Sequence, residues 1–335
     1  MLRLALSWAS PAGQRARLSI LVLHRVVAQP DPLFPGEMDC SRFDAICGWL
    51  RAWFNVIPLT DAVQRLKLGS LPARALAISF DDGYADNQIV ALPILQRHCL
   101  PATCFVTTGF LDGGCMWNDR VIEAVRRTTR LSVDVPEGAT GAGFAMPLAS
   151  VVQRRAAVSA LLNSIKYLDA AERQRAVDRV VRDCDVVLPC DLMLSTHQLR
   201  AWSSAPGMSV GAHTVRHPIL KSLGAEAARA EIRDGSRQLA DLVQQPIQVF
   251  AYPNGKPGFD FTARDVALVK EQGFVGAVST AWGAASAQSD PFQLPRFMPW
   301  DRTRMRFGLR LLTNLRRVGD RAEDAHGSLT SAATL

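Results

Sequence analysis

Several common signatures are missing from this 335-residue chain. Its seven cysteines, Cys40, Cys47, Cys99, Cys104, Cys115, Cys184 and Cys190, are scattered, odd in number and never spaced as Cys-x-x-Cys. That excludes a disulfide framework and a zinc–thiolate site, and it fits a reducing compartment. No apolar run is long enough to span a membrane, and the weakly apolar first ten residues run into Pro11, Gly13, Arg15 and Arg17 without a small-residue cleavage site. The expectation is a cytoplasmic protein, at most peripheral to a membrane. No Gly-x-Gly-x-x-Gly follows any strand-like run, which argues against a Rossmann sheet. The net charge of +7, from 38 basic and 31 acidic residues, points to a polyanion or a membrane surface as partner. Much of the excess lies in Arg-rich helices, so a solvated basic face accounts for it, and nucleic acid is not expected.

What is present reads as a sizeable α/β core. Hydrophobic residues make up 48% and charged residues 21%, and the length suits one large domain or two smaller ones. Leu18–Leu23 is an apolar run of strand length that ends in His24. Residues 41–53 have helical spacing with Ser41 as N-cap, Val56–Leu59 is a short strand, and Thr60 caps a helix through Leu68. Ala75–Phe80 is the central strand; residues 86–98 form a helix kinked or restarted at Pro93, and Ala102–Thr107 is the next strand. Strand, helix and strand in succession make a βαβ unit and imply a parallel sheet.

The strand pattern then stops. Residues 117–200 read as a helical insertion: a helix over 118–129, an irregular stretch over 131–146, and two Arg-rich amphipathic helices within 147–187. Strands resume at Met208–Ala212, Ile247–Ala251, Phe274–Val278 and Leu294–Phe297, with helices at 223–244 and 262–272 between them. About seven strands alternating with helices favour a (β/α) barrel. The expected organisation is an N-terminal segment over 1–17, a barrel over 18–300, a basic amphipathic helix within 301–318 and a disordered tail over 319–335. The helix, centred on Met305–Arg317, packs on the barrel or touches a membrane surface through 302–317.

The chemistry concentrates at two strand ends. Ser79-Phe80-Asp81-Asp82-Gly83 delivers two adjacent carboxylates to the end of a buried strand. Like charges buried side by side need a cation or a shared proton. His213 and His217, two of six histidines, follow the Met208–Ala212 strand. A spacing of four on a helical turn puts both imidazoles on one side. Two histidines and a carboxylate are a recurrent set for a catalytic divalent metal; zinc, cobalt, nickel or iron suits it, with zinc foremost. His98 and His197 read as structural, and Asp86 and Asn87 as the start of a helix. Trp117 suits a sugar-stacking surface or the core equally.

Ser79-Phe80-Asp81-Asp82 together with His213-Thr-Val-Arg-His217 resembles the first two motifs of the polysaccharide deacetylases, carbohydrate esterase family 4, over roughly residues 18–300. Leu23-His24-Arg25-Val26 resembles the first strand of the branch found with bacterial exopolysaccharide clusters. The resemblance implies a distorted (β/α) barrel, Asp81 as general base, and Asp82, His213 and His217 as metal ligands. Phe250-Ala251-Tyr252-Pro253-Asn254-Gly255 resembles the third motif, so that Tyr252, Pro253 and Asn254 line the groove and supply an oxyanion-binding backbone N–H. Many members carry Arg and Tyr where this chain has Ala251 and Asn254. Leu294-Pro295-Arg296 stands where many members carry Leu-x-His with the general acid; an arginine is a poor proton donor near neutrality. Arg296 would then orient Asp81 in place of the arginine missing at 251, and His24 becomes either the general acid or a satisfied core residue.

The expected function is therefore metal-dependent removal of N-acetyl groups from amino sugars of a polysaccharide or lipid-linked glycan precursor. Alternatives are an amidase or deformylase acting on another C–N bond, or a catalytically weak glycan-binding protein of a synthase complex.

Overall fold

A computed structural model of the chain describes residues 2–136 and 143–317; the expected disordered tail, 319–335, lies outside the described residues. The described residues divide into two compact units, one built from 2–28, 38–111 and 194–317, the other from 29–37, 112–136 and 143–193.

The larger unit begins with α1 (Leu2–Ala9), β1 (Leu18–Leu23), α2 (Cys40–Trp53), β2 (Asn55–Val56), α3 (Leu59–Lys67), β3 (Ala75–Phe80), α4 (Leu92–His98) and β4 (Ala102–Val106). The smaller unit holds α5 (Trp117–Arg127), β5 (Ser132–Val135), β6 (Phe144–Pro147), α6 (Val151–Ile165) and α7 (Ala170–Cys184). The larger unit resumes with α8 (Thr196–Ser204), β7 (Met208–Ala212), α9 (Ala225–Val243), β8 (Val249–Ala251), α10 (Ala263–Glu271), β9 (Gly276–Trp282), β10 (Leu294–Arg296) and α11 (Arg304–Asn314).

Seven parallel strands follow one another in the order β1, β3, β4, β7, β8, β9, β10, and β2 pairs with the first half of β3. The ring nearly closes: the Val22 N–H donates to the Phe297 carbonyl at 3.0 Å and the Phe297 N–H to that of Ile20 at 2.7 Å. This is the expected distorted barrel. Every residue of β1, β3 and β4 is buried, as parallel strands covered on both faces require. Strand alternation sends Leu76, Ile78 and Phe80 into a cluster with α2 and α4, while Ala75 and Ala77 join another with α3. Ser79 and Asp81 continue the second face.

Local differences from the sequence reading have local causes. Asp39, not Ser41, caps α2, accepting the Arg42 N–H at 3.0 Å. Thr60 is no cap, because α3 already starts at Leu59 after Pro58. The segment before Pro93 is a π-turn over Asn87–Ala91 from which α4 restarts with the proline in its first turn. Within 131–146, β5 and β6 form an antiparallel hairpin, because Val133 and Val135 alternate with exposed neighbours and face a core. α11 packs on the barrel through Phe307 and Leu311, and Gly308 leaves no room for a Cβ against Leu2 and Trp53. Among the described residues, no helix is long and apolar enough to cross a membrane. All seven cysteines are free.

The smaller unit has its own core, with Val121, Leu161, Ile165, Val177 and Val180 at its centre. The loop over 29–37 belongs to it through Asp31, whose carboxylate takes both terminal nitrogens of Arg126 at 2.9 and 2.7 Å and the Leu33 N–H at 2.8 Å. Burial pushes the Asp31 carboxyl up, but Arg126 and the backbone N–H outweigh it and hold it below the usual range. A depressed folded-state pKa stabilises above the unfolded value of about 3.9 and ceases to do so as pH falls through the folded one. Asp31→Asn should therefore destabilise this unit by about 1–2 kcal/mol at pH 7. The gap to wild type should shrink progressively below about pH 4, read by urea denaturation at several pH values.

Candidate metal centre

β3 ends at Phe80, and the chain turns at once. Asp82 sits at φ 74° and Gly83 at φ 87°, so the strand alternation stops and both adjacent carboxylates remain in the larger unit's buried interior. The turn is held by the Asp81 N–H on the Leu23 carbonyl (2.8 Å) and the Thr107 N–H on that of Asp82 (3.2 Å). A left-handed backbone at a non-glycine residue costs on the order of 1–3 kcal/mol and persists only where its surroundings hold it.

The two carboxylates meet different partners. Asp81 receives Arg296 face on, with both terminal guanidinium nitrogens at 2.7 Å from its two oxygens. Arg296 is itself buried and anchored by the Ser279 carbonyl (2.8 Å) and the Ser79 hydroxyl (3.2 Å). Burial pushes the Asp81 carboxyl up, but the Arg296 charge and hydrogen bonds win and hold it below the usual range. Asp82 has no such arginine. Its Oδ1 is buried without a hydrogen-bond partner, 3.4 Å from Nε2 of both His213 and His217.

This pocket of donors fits a divalent cation. The ligand atoms of Asp82, His213 and His217 lie within 4.8 Å of one another. His213 Nδ1 bonds the Ala251 carbonyl at 2.8 Å; a carbonyl only accepts, so Nδ1 carries a proton and leaves Nε2, which faces Asp82, to supply the lone pair when the ring is neutral. Burial pushes the His217 imidazole down to about 4, so it is neutral near pH 7. Burial also presses on His213, but Asp82 and Asp81 prevail and raise it. The site thus calls for positive charge. A proton on His213 would answer only part of that demand, because the His217 lone pair would still face the orphaned carboxylate oxygen. One cation serves all three.

The helical turn expected between the histidines is not there. Thr214 and His217 both have positive φ, at 65° and 54°, and residues 213–219 are loop. The Thr214 hydroxyl takes the His217 N–H at 3.1 Å, and Pro218 disfavours helical backbone at the residue before it. Sequence reading also missed what braces this loop. The buried Glu231 of α9 accepts the Val215 and Arg216 N–H groups at 3.0 and 2.9 Å and the Arg216 side chain at 2.7 Å. One turn on, a Cβ at Gly235 would lie 2.7 Å from the Thr214 carbonyl carbon. A glycine inside a helix, four residues after a glutamate on the same face, was the available signal.

Other expected site residues divide. His24 follows β1, is exposed rather than a core residue, and stands near enough to act electrostatically on both carboxyls. The backbone carbonyl of His24 is held by Asn87 (2.8 Å), and Asp86 pairs with Arg25 (2.7 Å) and the Val26 N–H (3.1 Å). Tyr252 does not line a groove with its side chain: the ring is buried, stacked 3.8 Å from Phe261, and its hydroxyl donates to the Phe292 carbonyl at 3.0 Å. With Phe261 and Phe250 behind it, turning inward buries the ring and satisfies the hydroxyl. Asn254 is exposed on the loop after β8, at φ 58°. Trp117 packs on the smaller unit's core under Arg173. His98 bonds Asp44 at 3.0 Å, away from the centre.

The polysaccharide deacetylase family model matches residues 69–133 and 172–276, just over half of the chain, and the chain belongs to that family. Its fold is similar to that of the deacetylase PplD of Streptococcus pyogenes in complex with acetate, at 18% identity over 90% of this chain and 98% of that one, TM-score 0.58. It is also similar to IcaB from Ammonifex degensii, at 15% identity over 92% and 99%, TM-score 0.56. The BpsB deacetylase domain from Bordetella bronchiseptica aligns at 13% identity over 84% and 95%, TM-score 0.51. At such identities the likeness extends to the fold alone. No curated protein matches the sequence.

Because Glu231 holds the loop that carries His217, Glu231→Gln should keep the barrel folded yet weaken divalent-metal binding about 10–100-fold. Calorimetric titration of the metal-stripped protein with zinc measures this, and circular dichroism checks the fold.

Proposed function

We propose that the protein is a metal-dependent hydrolase that removes N-acetyl groups from amino sugars of a polysaccharide or lipid-linked glycan precursor. The observation that carries the reading is the pairing of two buried carboxylates with different partners: Asp82 facing two imidazoles, and Asp81 locked to Arg296. A divalent ion held by Asp82, His213 and His217, zinc foremost and cobalt, nickel or iron compatible, would polarise an acyl carbonyl and acidify water.

The chain's own groups supply the rest. Asp81 is the proton acceptor: Arg296 keeps it ionised and fixed in orientation, while each oxygen retains a lone pair for a water molecule. Arg296 thereby provides at Asp81 the guanidinium that Ala251 cannot. It does not itself serve as acid, because it is buried and committed to Asp81, and a guanidinium is a poor proton donor near neutrality. His24, exposed at the end of β1, is the candidate to protonate the departing amine. Asn254 is the candidate for the oxyanion contact. Pro253 has no N–H and that of Tyr252 bonds the Val278 carbonyl at 3.3 Å, whereas no acceptor among the described residues takes the Asn254 N–H.

The test is acetate release from N-acetylglucosamine oligomers and lipid-linked analogues, with metal removed and restored. Asp81→Asn should lower kcat about 10²–10⁴-fold with metal content unchanged, whereas His213→Ala should lose the metal. Loss of metal in Asp81→Asn would overturn the division of roles. A metal-loaded protein that releases no acetate would move the reading to another amide, such as a formyl group.

A further inference from the structure

The face shared by α1 and α11 combines exposed apolar side chains with an open groove. Leu4 and Trp8 are 76% and 81% exposed, and their spacing of four sets them on one side of α1, away from the buried Leu6. Met305 and Leu309, 75% and 53% exposed, form with Leu312 a stripe along α11. Between the helices runs an open groove of about 780 Å³ lined by Leu2, Ala5, Trp53, Met305, Leu309 and Leu312. Exposed apolar surface of this kind marks an interaction site.

Charge selects the partner. Neither α1 nor α11 contains an acidic residue, and Arg3, Arg304, Arg306 and Arg316 are exposed without an acidic partner among the described residues. Arg310 alone on α11 is neutralised, by Asp301. A face carrying charge of one sign repels a second copy of itself. Exposed tryptophan, leucine and methionine interleaved with arginine match an interface between anionic headgroups and acyl chains.

We propose that the α1–α11 face docks the protein on an anionic lipid bilayer, with Leu4, Trp8, Met305 and Leu309 entering the headgroup region and Arg3, Arg304, Arg306 and Arg316 pairing with lipid phosphates. The contact does not depend on the deacetylase reading and is measured without turnover. The experiment is flotation of the full chain with vesicles of phosphatidylglycerol and phosphatidylcholine, against phosphatidylcholine alone. Binding is expected only to the anionic vesicles and declines as salt is raised. Arg306→Gln/Arg316→Gln should bind about 30-fold more weakly, two arginines near a charged surface acting together. Trp8→Ser/Met305→Ser should lose about tenfold or more at unchanged salt dependence. Both pairs are exposed, so thermal melting should match wild type. Absence of binding to anionic vesicles, or wild-type binding by both variants, would overturn the proposal. So would a concentration-dependent dimer that Trp8→Ser/Met305→Ser dissolves, which would give the face to a second copy.

Discussion

Two adjacent carboxylates buried at one strand end repel each other and lose their hydration together, so each must be compensated where it stands. The chain solves the problem twice, in two ways. Asp81 is matched by a guanidinium whose planar fork fits a carboxylate and whose charge is permanent. Asp82 is matched by two imidazoles, one of them neutral near pH 7, whose lone pairs bring no charge of their own. The first pair is complete as it stands. The second is complete only around a cation, and that asymmetry divides the labour between neighbours in sequence.

Most of this was readable because it is local. An apolar run ending in Asp81-Asp82-Gly83, and another ending shortly before His213, place the groups at strand ends whatever the rest of the chain does. The barrel was readable for the same reason, since parallel strands buried on both faces announce themselves as apolar runs. What escaped depends on partners far along the chain. Nothing near Glu231 says that it braces residues 215 and 216, and nothing in 29–37 says that Asp31 reaches Arg126 across 95 positions. Tyr252 looked like a groove residue because of the motif it sits in; stacking on Phe261 decided otherwise. The loop between the histidines is a different case. Pro218 was in view and argues against helix at His217, and spacing alone was the weaker guide.

Strain gathers at the candidate site. Nine non-glycine residues among those described have positive φ, and four of them, Asp82, Thr214, His217 and Asn254, belong to the candidate site. The Thr214 and Val215 carbonyls accept from Thr108 and Gly109 at 3.3 and 2.8 Å, and Glu231 takes the N–H groups of 215 and 216 from the other side. A loop so fully engaged can hold unfavourable backbone angles, and with them the two imidazoles, before any ligand arrives.

The same economy ties the site to the barrel itself. Arg296 closes β10, and the next residue, Phe297, makes the two hydrogen bonds to β1 that nearly complete the ring. The guanidinium bonds Ser79 of β3 and Ser279 of β9, and Ser79 in turn donates to the Leu21 carbonyl of β1 at 2.7 Å. Strands β1, β3, β9 and β10 therefore converge on one buried cation whose counter-charge is Asp81. Removing one member of a buried ion pair leaves the other uncompensated, at a cost of about 3–5 kcal/mol. An arginine on the closing strand consequently does what one at position 251 on β8 would not: it makes the seam of the barrel and the orientation of Asp81 a single interaction, so that neither can be lost alone.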